Sequence, residues 1–458
     1  MRLSAVQNDR VAGVLVGTAA GDALGAGYEF TKPAADAVID MIGGGTFNWA
    51  PGEWTDDTAM TIAVARALAG GADVETREGF DAVAAEFLRW YDTQPKDIGN
   101  QTRAVLAHRP STANEMVWHA KQLGNAKQGN GSLMRTSAIA LDYLDDARGC
   151  SDAAAAVSRL THPAPEAVDA CRIWSSAIRY AVLHGSFDGV RKAAAHTSDP
   201  GYWLRLLDQA ENGRPEDFSN NGWVVHALQT AWWAITTADA SSPRHLQDAL
   251  ELCVRAGSDT DTTAATAGGL LGARWGASAV PARWRRIMHG YPGMDANDLV
   301  RVAMRIAFDG GADERGWPLA DTIDYAGFST DRLAVHPHDE GVILSGAAHY
   351  DRAAVDAVIS LCRVGAKPIA AEHIQFWLVD SGKDRNANIE FVLDDAARTI
   401  NELRREGKRV LVHCVEGKSR TPAVAARYAK LLGRDPRDVL RVMPWARPNP
   451  ALWNAATR

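Results

Sequence analysis

The chain has 458 residues, 46% of them hydrophobic and 23% charged, with a formal net charge of -7. That length exceeds what one compact core organises, so two or three domains are expected, and the apolar content excludes a disordered chain. The modest acidic balance and the lack of a long Lys/Arg run exclude the electrostatic footprint of a general nucleic-acid binder.

Near the start, Val11–Ala20 is apolar, but Asp9 and Asp22 flank it closely. Gly13, Gly17 and Gly21 recur every fourth residue. On a helix that spacing makes a smooth stripe where another backbone can approach, so a buried first helix is predicted rather than a targeting segment. No apolar run is expected to span a membrane. The cysteines Cys150, Cys171, Cys253, Cys362 and Cys414 are odd in number and scattered, which predicts a reducing compartment and a cytoplasmic location.

Residues 1–310 carry helical apolar spacing in Met60–Leu68, Phe80–Tyr91, Ala153–Leu160 and Asp169–Leu183, with almost no strand-like alternation, and predict an all-α domain. Two segments in it stand out. Thr55-Asp56-Asp57-Thr58 and Asp259-Thr260-Asp261-Thr262 each open an apolar helical run. Taken singly, each reads as a helix N-cap. Taken together and facing one cleft, they bring four carboxylates close enough to need a cation, and hard oxygen donors suit Mg²⁺ or Mn²⁺ rather than zinc.

Further segments follow a recognisable order: Gly21-Asp22-Ala23-Leu24-Gly25 with Glu29, Gly52-Glu53-Trp54, Gly129-Asn130-Gly131-Ser132-Leu133-Met134-Arg135, Thr161-His162, and Gly257-Ser258 before Asp259. That order and wording resemble the ADP-ribosylglycohydrolase family over most of residues 10–280. The resemblance implies two divalent cations, Mg²⁺ or Mn²⁺, held by Thr55, Asp56, Asp57, Asp259, Asp261 and Thr262, with Glu29 joining or gating them. It implies an ADP-ribose site formed by Asp97, Asn100, Gly129, Gly131, Ser132, Met134, Arg135 and His162. It further implies metal-assisted attack of water on the anomeric carbon, with Asp57 and Asp259 as candidates to take the proton. Without the resemblance, Gly129–Gly131 reads as a turn and His162, ahead of Pro163, as a helix stop.

Residues 311–332 mix Gly, Asp, Pro and polar side chains and are expected to link two domains. Beyond them, strand-like runs Gly341–Leu344, Ile374–Val379 and Arg409–Val412 alternate with helical stretches Arg352–Arg363 and Ile389–Arg405. Residues 333–458 are therefore read as a small α/β domain with a mainly parallel sheet.

Arg409–Val412 runs into His413-Cys414-Val415-Glu416-Gly417-Lys418-Ser419-Arg420-Thr421, and Ala423–Leu432 looks helical. A lone cysteine here would be an ordinary buried side chain at a strand end. Cys-x5-Arg between a strand and a helix wraps the backbone N–H groups of Val415 to Ser419 around a phosphate, places the thiol at a helix N-terminus, and lets Arg420 hold two phosphate oxygens. The segment is similar to the signature of dual-specificity and related protein-tyrosine-phosphatase-like enzymes. By that resemblance Cys414 is the nucleophile that forms a phosphocysteine, Thr421 hydrogen-bonds its thiolate, and Asp380 is the general acid, with Asp384 a nearby competitor.

The sequence reading is thus a bifunctional hydrolase acting on an ADP-ribosylated protein or small molecule and on a phosphorylated substrate. Two alternatives stand beside it. In one the ADP-ribose is attached through an O-linked, small-molecule or nucleic-acid bond rather than arginine; in the other one domain keeps its pocket as a binding module only.

Overall fold

The computed structural model describes residues 2–124, 129–325, 327–328, 331–350, 353–369 and 371–458. The chain divides into two units, Arg10–Val280 with Ile287–Gly311, and Ala312–Arg458 with Leu3–Asp9 and Pro281–Arg286.

Among the described residues, the regular structure of the first unit is helical apart from isolated bridges and a short ribbon pairing His289–Gly290 with Met294–Asp295. Its organising contact is between the helices Ala5–Gly25 and Thr260–Trp275. A Cβ built on Gly13 would lie 2.3 Å from Gly272 O, one on Gly17 2.3 Å from Gly268 O, and one on Gly21 2.0 Å from Ala264 O. The glycine stripe meets a second stripe, Gly268 and Gly272, and the two backbones touch without intervening side chains. Consequently the N-terminus of the second helix is pinned against the C-terminus of the first, where Asp261 N lies 2.5 Å from the position of a Gly25 Cβ. By length and mean hydropathy (1.2), Ala5–Tyr28 is sufficient to cross a membrane, where no such run was expected. Its qualifying window is 94% buried within the protein.

The second unit carries a five-stranded sheet: β1 (Leu333–His336), β2 (Asp339–Ser345), β3 (Ala357–Ser360), β4 (Glu372–Gln375) and β5 (Val410–His413), in the order β1-β2-β5-β3-β4. Only the β1–β2 pair is antiparallel. The central strand β5 pairs with β2 through Ser345↔His413 and with β3 through Ser360↔His413, so all four of its residues are buried. The helices Ile389–Arg405 and Arg420–Leu431 pack with Val342, Leu344, Ile359, Val410 and Val412 to form the core. Cys414 leaves the carboxyl end of β5, the end at which ligands bind in open parallel sheets.

Two predicted elements differ. Arg352–Arg363 is not helical: Arg352 lies outside the described residues, and Ala357–Ser360 is β3, buried on both faces. A short apolar run carries the same periodicity signal for a buried strand and a helix segment, and β3's position beside β5 decides it. In Ile374–Val379 only Ile374 and Gln375 belong to a strand, because Phe376 N closes the last bond to Ser360 O and β3 ends there.

Part of the segment expected as a linker is packed within the second unit. Trp317, Ile323 and Tyr325 are buried. Arg363 pairs with Asp313 at 2.6 Å and lies 4.0 Å from the Trp317 ring centre. Glycine and polar content marked the stretch as a connection, while its anchors are single aromatic residues that leave no periodic signal.

Candidate functional site

In the first unit, the helix Asp56–Ala69 begins at Thr55, whose hydroxyl donates to Asp57 Oδ2 at 3.0 Å. Asp22 holds this helix start with both oxygens: Oδ1 accepts from Thr55 N (2.9 Å) and Oδ2 from Thr58 N (2.8 Å). At the start of the helix Thr260–Trp275, Asp261 Oδ1 accepts from Thr262 N at 3.0 Å, and Asp259 Oδ2 accepts from Asn130 Nδ2 at 2.8 Å. Asn221 Oδ1 in turn accepts from Asp259 N at 3.1 Å. Phe30 N donates to Ser258 O at 2.7 Å, which ties the strand-like step after Glu29 to the residue before Asp259.

Carboxylate oxygens of Asp22, Asp57 and Asp261 all lie within 4.8 Å of one another, and so do those of Glu29, Asp259 and Asp261. Asp261 belongs to both triads. Asp56 is buried beside them but in neither group. Burial, reinforced by neighbouring carboxylates, pushes Glu29 up to about 9 and Asp56, Asp57 and Asp261 well above the usual carboxylate range. Burial also raises Asp22 to about 6, against the hydrogen bonds that lower it. Asp97 and Asp259 are raised by burial as well, and the charge of Asp97 acts on Glu29 and Asp56, which puts it at the same cluster. Two oxygens, Glu29 Oε2 and Asp57 Oδ1, are buried with no hydrogen-bond partner. Orphaned carboxyl oxygens crowded together in this way form a donor set that divalent cations would complete, and an all-oxygen set suits hard cations.

The glycine loop is only partly open. Gly129 and Gly131 are half-buried, whereas Ser132, Met134 and Arg135 turn into the protein. Ser132 accepts from Ser158 Oγ and Cys171 Sγ. Arg135, expected at the ligand, is 1% exposed and serves the loop from behind: Nη1 donates to Gly131 O (3.0 Å) and Nη2 to Thr161 Oγ1 (2.7 Å), over the face of Phe87. Thr161 Oγ1 lies 2.7 Å from His162 Nδ1. Thr161 Oγ1 accepts from Arg135 and still has a proton and a second lone pair, so it holds His162 Nδ1 in either tautomer of the ring. Burial and the Arg135 charge push His162 down to about 3, so the ring is neutral at physiological pH. The ring rests on Gly131, where a Cβ would lie 3.0 Å from Cε1. Asn100 is exposed at the start of the helix Asn100–Leu106.

Asp22, Asn130 and Asn221 are functional positions that sequence reasoning missed as ligand or positioning residues. The first two stood inside quoted motifs. Asn221 carried no signal, because its role comes from a contact 38 residues away.

In the second unit, residues 414–420 curl below β5 into the helix Arg420–Leu431. Gly417 has φ +66, and a Cβ there would lie 2.9 Å from Gly346 N and Ser345 O. Ala347 N donates to Val415 O, Arg447 N to Lys418 O and Asn449 N to Ser419 Oγ, so neighbouring loops brace the turn. A cavity of about 280 Å³ opens over it, lined by Cys414, Val415, Glu416, Lys418, Ser419, Arg420 and Asp380, with Arg315 and Phe328 from the preceding segment. Arg420 Nη1 donates to Leu361 O and Leu378 O, while its Nε is buried with no partner.

Asp380 lies in the cavity wall and accepts from Ser419 Oγ at 2.5 Å. Asp384 accepts from Ser381 Oγ and is not in that wall. Thr421, expected on the thiolate, gives its hydroxyl proton to Ser345 O at 3.2 Å. His413 is buried between Ser360 Oγ (2.7 Å) and the Cys414 carbonyl, and burial pushes it down to about 3.

Comparison with known proteins agrees with these two units. The ADP-ribosylglycohydrolase family model matches residues 3–313, and the model of the dual specificity phosphatase catalytic domain matches residues 344–432. ADP-ribosylarginine hydrolase Tri1 of Pseudomonas putida (strain GB-1) is 30% identical over 286 residues, covering 60% of this chain and 73% of that protein. ADP-ribosyl-[dinitrogen reductase] glycohydrolase of Rhodospirillum rubrum is 28% identical over 284 residues, covering 60% of this chain and 89% of its own. Among solved structures, an ADP-ribosylglycohydrolase-related protein complex superposes with a TM-score of 0.53 at 27% identity, covering 66% of this chain and 99% of that one.

Proposed function

The chain belongs to the ADP-ribosylglycohydrolase family and carries a dual specificity phosphatase-like domain, and from that premise we propose a bifunctional enzyme with domains at 1–310 and 333–458 joined through 311–332. The first domain removes ADP-ribose from arginine-linked substrates with a pair of divalent cations, and the second hydrolyses phosphomonoesters through Cys414. The observation that carries the first half is the sharing of Asp261 by two carboxylate triads, which supports two ions side by side.

Thr55, Asp56, Asp57, Glu29, Asp259, Asp261 and Thr262 are the residues that would hold the ions. When bound, such ions supply positive charge to substrate oxygens and lower the pKa of water. The protein's own part is to position and to take a proton. Asp22 and Asn130 fix the two helix starts; Gly129 and Gly131 let the backbone approach a diphosphate; the His162 ring packs on Gly131 and braces that loop. Water adds at the anomeric carbon through an oxocarbenium-like state as the C–N bond breaks and its electron pair goes to the guanidine nitrogen; a proton of the water passes to Asp57 or Asp259, the departing guanidine regains one, and free ADP-ribose and the unmodified arginine leave. No covalent intermediate is needed.

In the second domain Cys414 Sγ attacks phosphorus, Asp380 protonates the departing oxygen, and the phosphocysteine is then hydrolysed. Arg420 Nε is the buried donor available to a phosphate oxygen. All five cysteines are unpaired, which supports a reducing, cytoplasmic setting.

The test is a panel of arginine-, serine- and nucleic-acid-linked ADP-ribose assayed with Mg²⁺, Mn²⁺ or EDTA. Release from arginine alone, lost in EDTA and in Asp261→Asn by at least about a hundredfold, is expected. Undiminished release by metal-stripped protein would remove the metal mechanism.

A further inference from the structure

The cavity over Cys414 has a wall that does not come from the phosphatase-like module. Arg315 and Phe328 line it, yet both precede residue 344, where the match to that module begins. The stretch 313–325 is fixed rather than draped. Asp313 Oδ1 accepts from the N–H groups of Arg315 and Trp317, its Oδ2 pairs with Arg363, and Tyr325 donates its hydroxyl to Arg363 O at 2.8 Å. Gly365, at φ +100, lies so close to Asp321 that a Cβ would come within 2.2 Å of its carbonyl oxygen.

The charges at the cavity are unequally committed. Lys418 is paired with Glu416 at 2.5 Å, and Arg420 is held by two carbonyls with its Nε left for the phosphate. Arg315 is exposed, packs 5.8 and 6.0 Å from the ring centres of Tyr325 and Phe328, and has no carboxylate partner among the described residues. A guanidinium held over aromatic faces is oriented at small entropic cost and keeps its N–H edge for an anion.

We propose that Arg315 is a specificity determinant that selects phosphomonoesters carrying a second anionic group, with the phosphate being cleaved in the Cys414 loop and the second anion at the rim. This rests on the phosphatase reading of the second domain. The second anion can belong to a small bisphosphate or to an acidic side chain beside a phosphorylated residue; the chemistry recognised is the same.

The experiment uses the full-length Cys414→Ser protein, so that binding is read without turnover. Calorimetry compares the monophosphates of ethanediol, butanediol and hexanediol with the corresponding bisphosphates, and an Ala-flanked phosphotyrosine peptide with a Glu-flanked one. At least one ligand with the second anionic group should bind about fivefold tighter than its partner, the size of one solvent-accessible ion pair. The advantage should shrink in added salt, vanish on adding Arg315→Gln, and return in part with Arg315→Lys. The arm that shows it, diol or peptide, identifies the source of the second anion. Equal binding of ligands with and without the second anionic group in both arms, or an advantage that survives Arg315→Gln, overturns the proposal. A wild-type protein inert toward p-nitrophenyl phosphate would instead sink the phosphatase reading, and the binding comparison would still decide the role of Arg315.

Discussion

At the scale of single residues, the two sites depend on side chains whose work is to fix the state of another. Thr161 passes the orientation of Arg135 to His162, and replacing it by valine keeps the shape while removing the hydroxyl. Thr161→Val should leave an Arg135 donor unpaired, remove the hydrogen bond at His162 Nδ1, and weaken ADP-ribose binding about tenfold. Nitrogen-15 NMR of the histidine ring reads the loss of that bond at Nδ1, and an unchanged Nδ1 signal in the variant would refute the relay. In the second unit the choice between two acids can be read from leaving groups. Asp380 lines the cavity and Asp384 does not. An acid matters most for a poor leaving group, so Asp380→Asn should slow alkyl phosphates far more than p-nitrophenyl phosphate and remove the basic limb of the pH–rate profile. Asp384→Asn should do neither; the reverse pattern would move the acid loop.

At the scale of elements, the glycine contact between Ala5–Gly25 and Thr260–Trp275 sets where the carboxylates stand. Gly17→Ala puts a methyl 2.3 Å from Gly268 O, and since both partners are backbone neither can yield without moving a helix. A destabilisation of about 1–3 kcal/mol is expected, together with loss of ADP-ribosyl hydrolysis, measured by thermal unfolding and by turnover. Wild-type stability in Gly17→Ala would show that the helices tolerate separation. This contact was legible in the sequence because a four-residue glycine period has few other uses on a helix. Its partner stripe, Gly268 and Gly272, was not read, since two glycines make no period. The same limit explains β3: four residues fix no periodicity, and only pairing with β5 makes Ala357–Ser360 a strand. The candidate site was legible where several chemical groups crowd into one short segment, as at Thr55–Thr58 and Cys414–Thr421. It was illegible where one residue acts at long range, as with Asn221 on Asp259 or Arg315 at the phosphate loop.

At the scale of the whole molecule, the proposed function gives the chain two chemistries whose requirements do not overlap: one at buried carboxylates and one at a single thiol. Selective chemistry can therefore silence either. Cys150 and Cys362 are pushed up to about 12 by burial, and burial also raises Cys171 and Cys253. These four are protonated at neutral pH, whereas Cys414, although buried like them, lines the cavity. Because protonated thiols are poor nucleophiles, iodoacetate at neutral pH should leave the four unlabelled and react at Cys414, and inorganic phosphate should protect it. The labelled protein should lose turnover of p-nitrophenyl phosphate and keep ADP-ribosyl hydrolysis, while EDTA should do the opposite. Peptide mapping by mass spectrometry identifies the modified residue, and the two assays are run on the same sample. Labelling at any other cysteine, or loss of both activities with Cys414 as the sole modified site, would count against two independent active sites. A phosphatase activity that EDTA abolishes would count against the cysteine mechanism, since nothing in the step from thiolate to phosphocysteine calls for a metal ion.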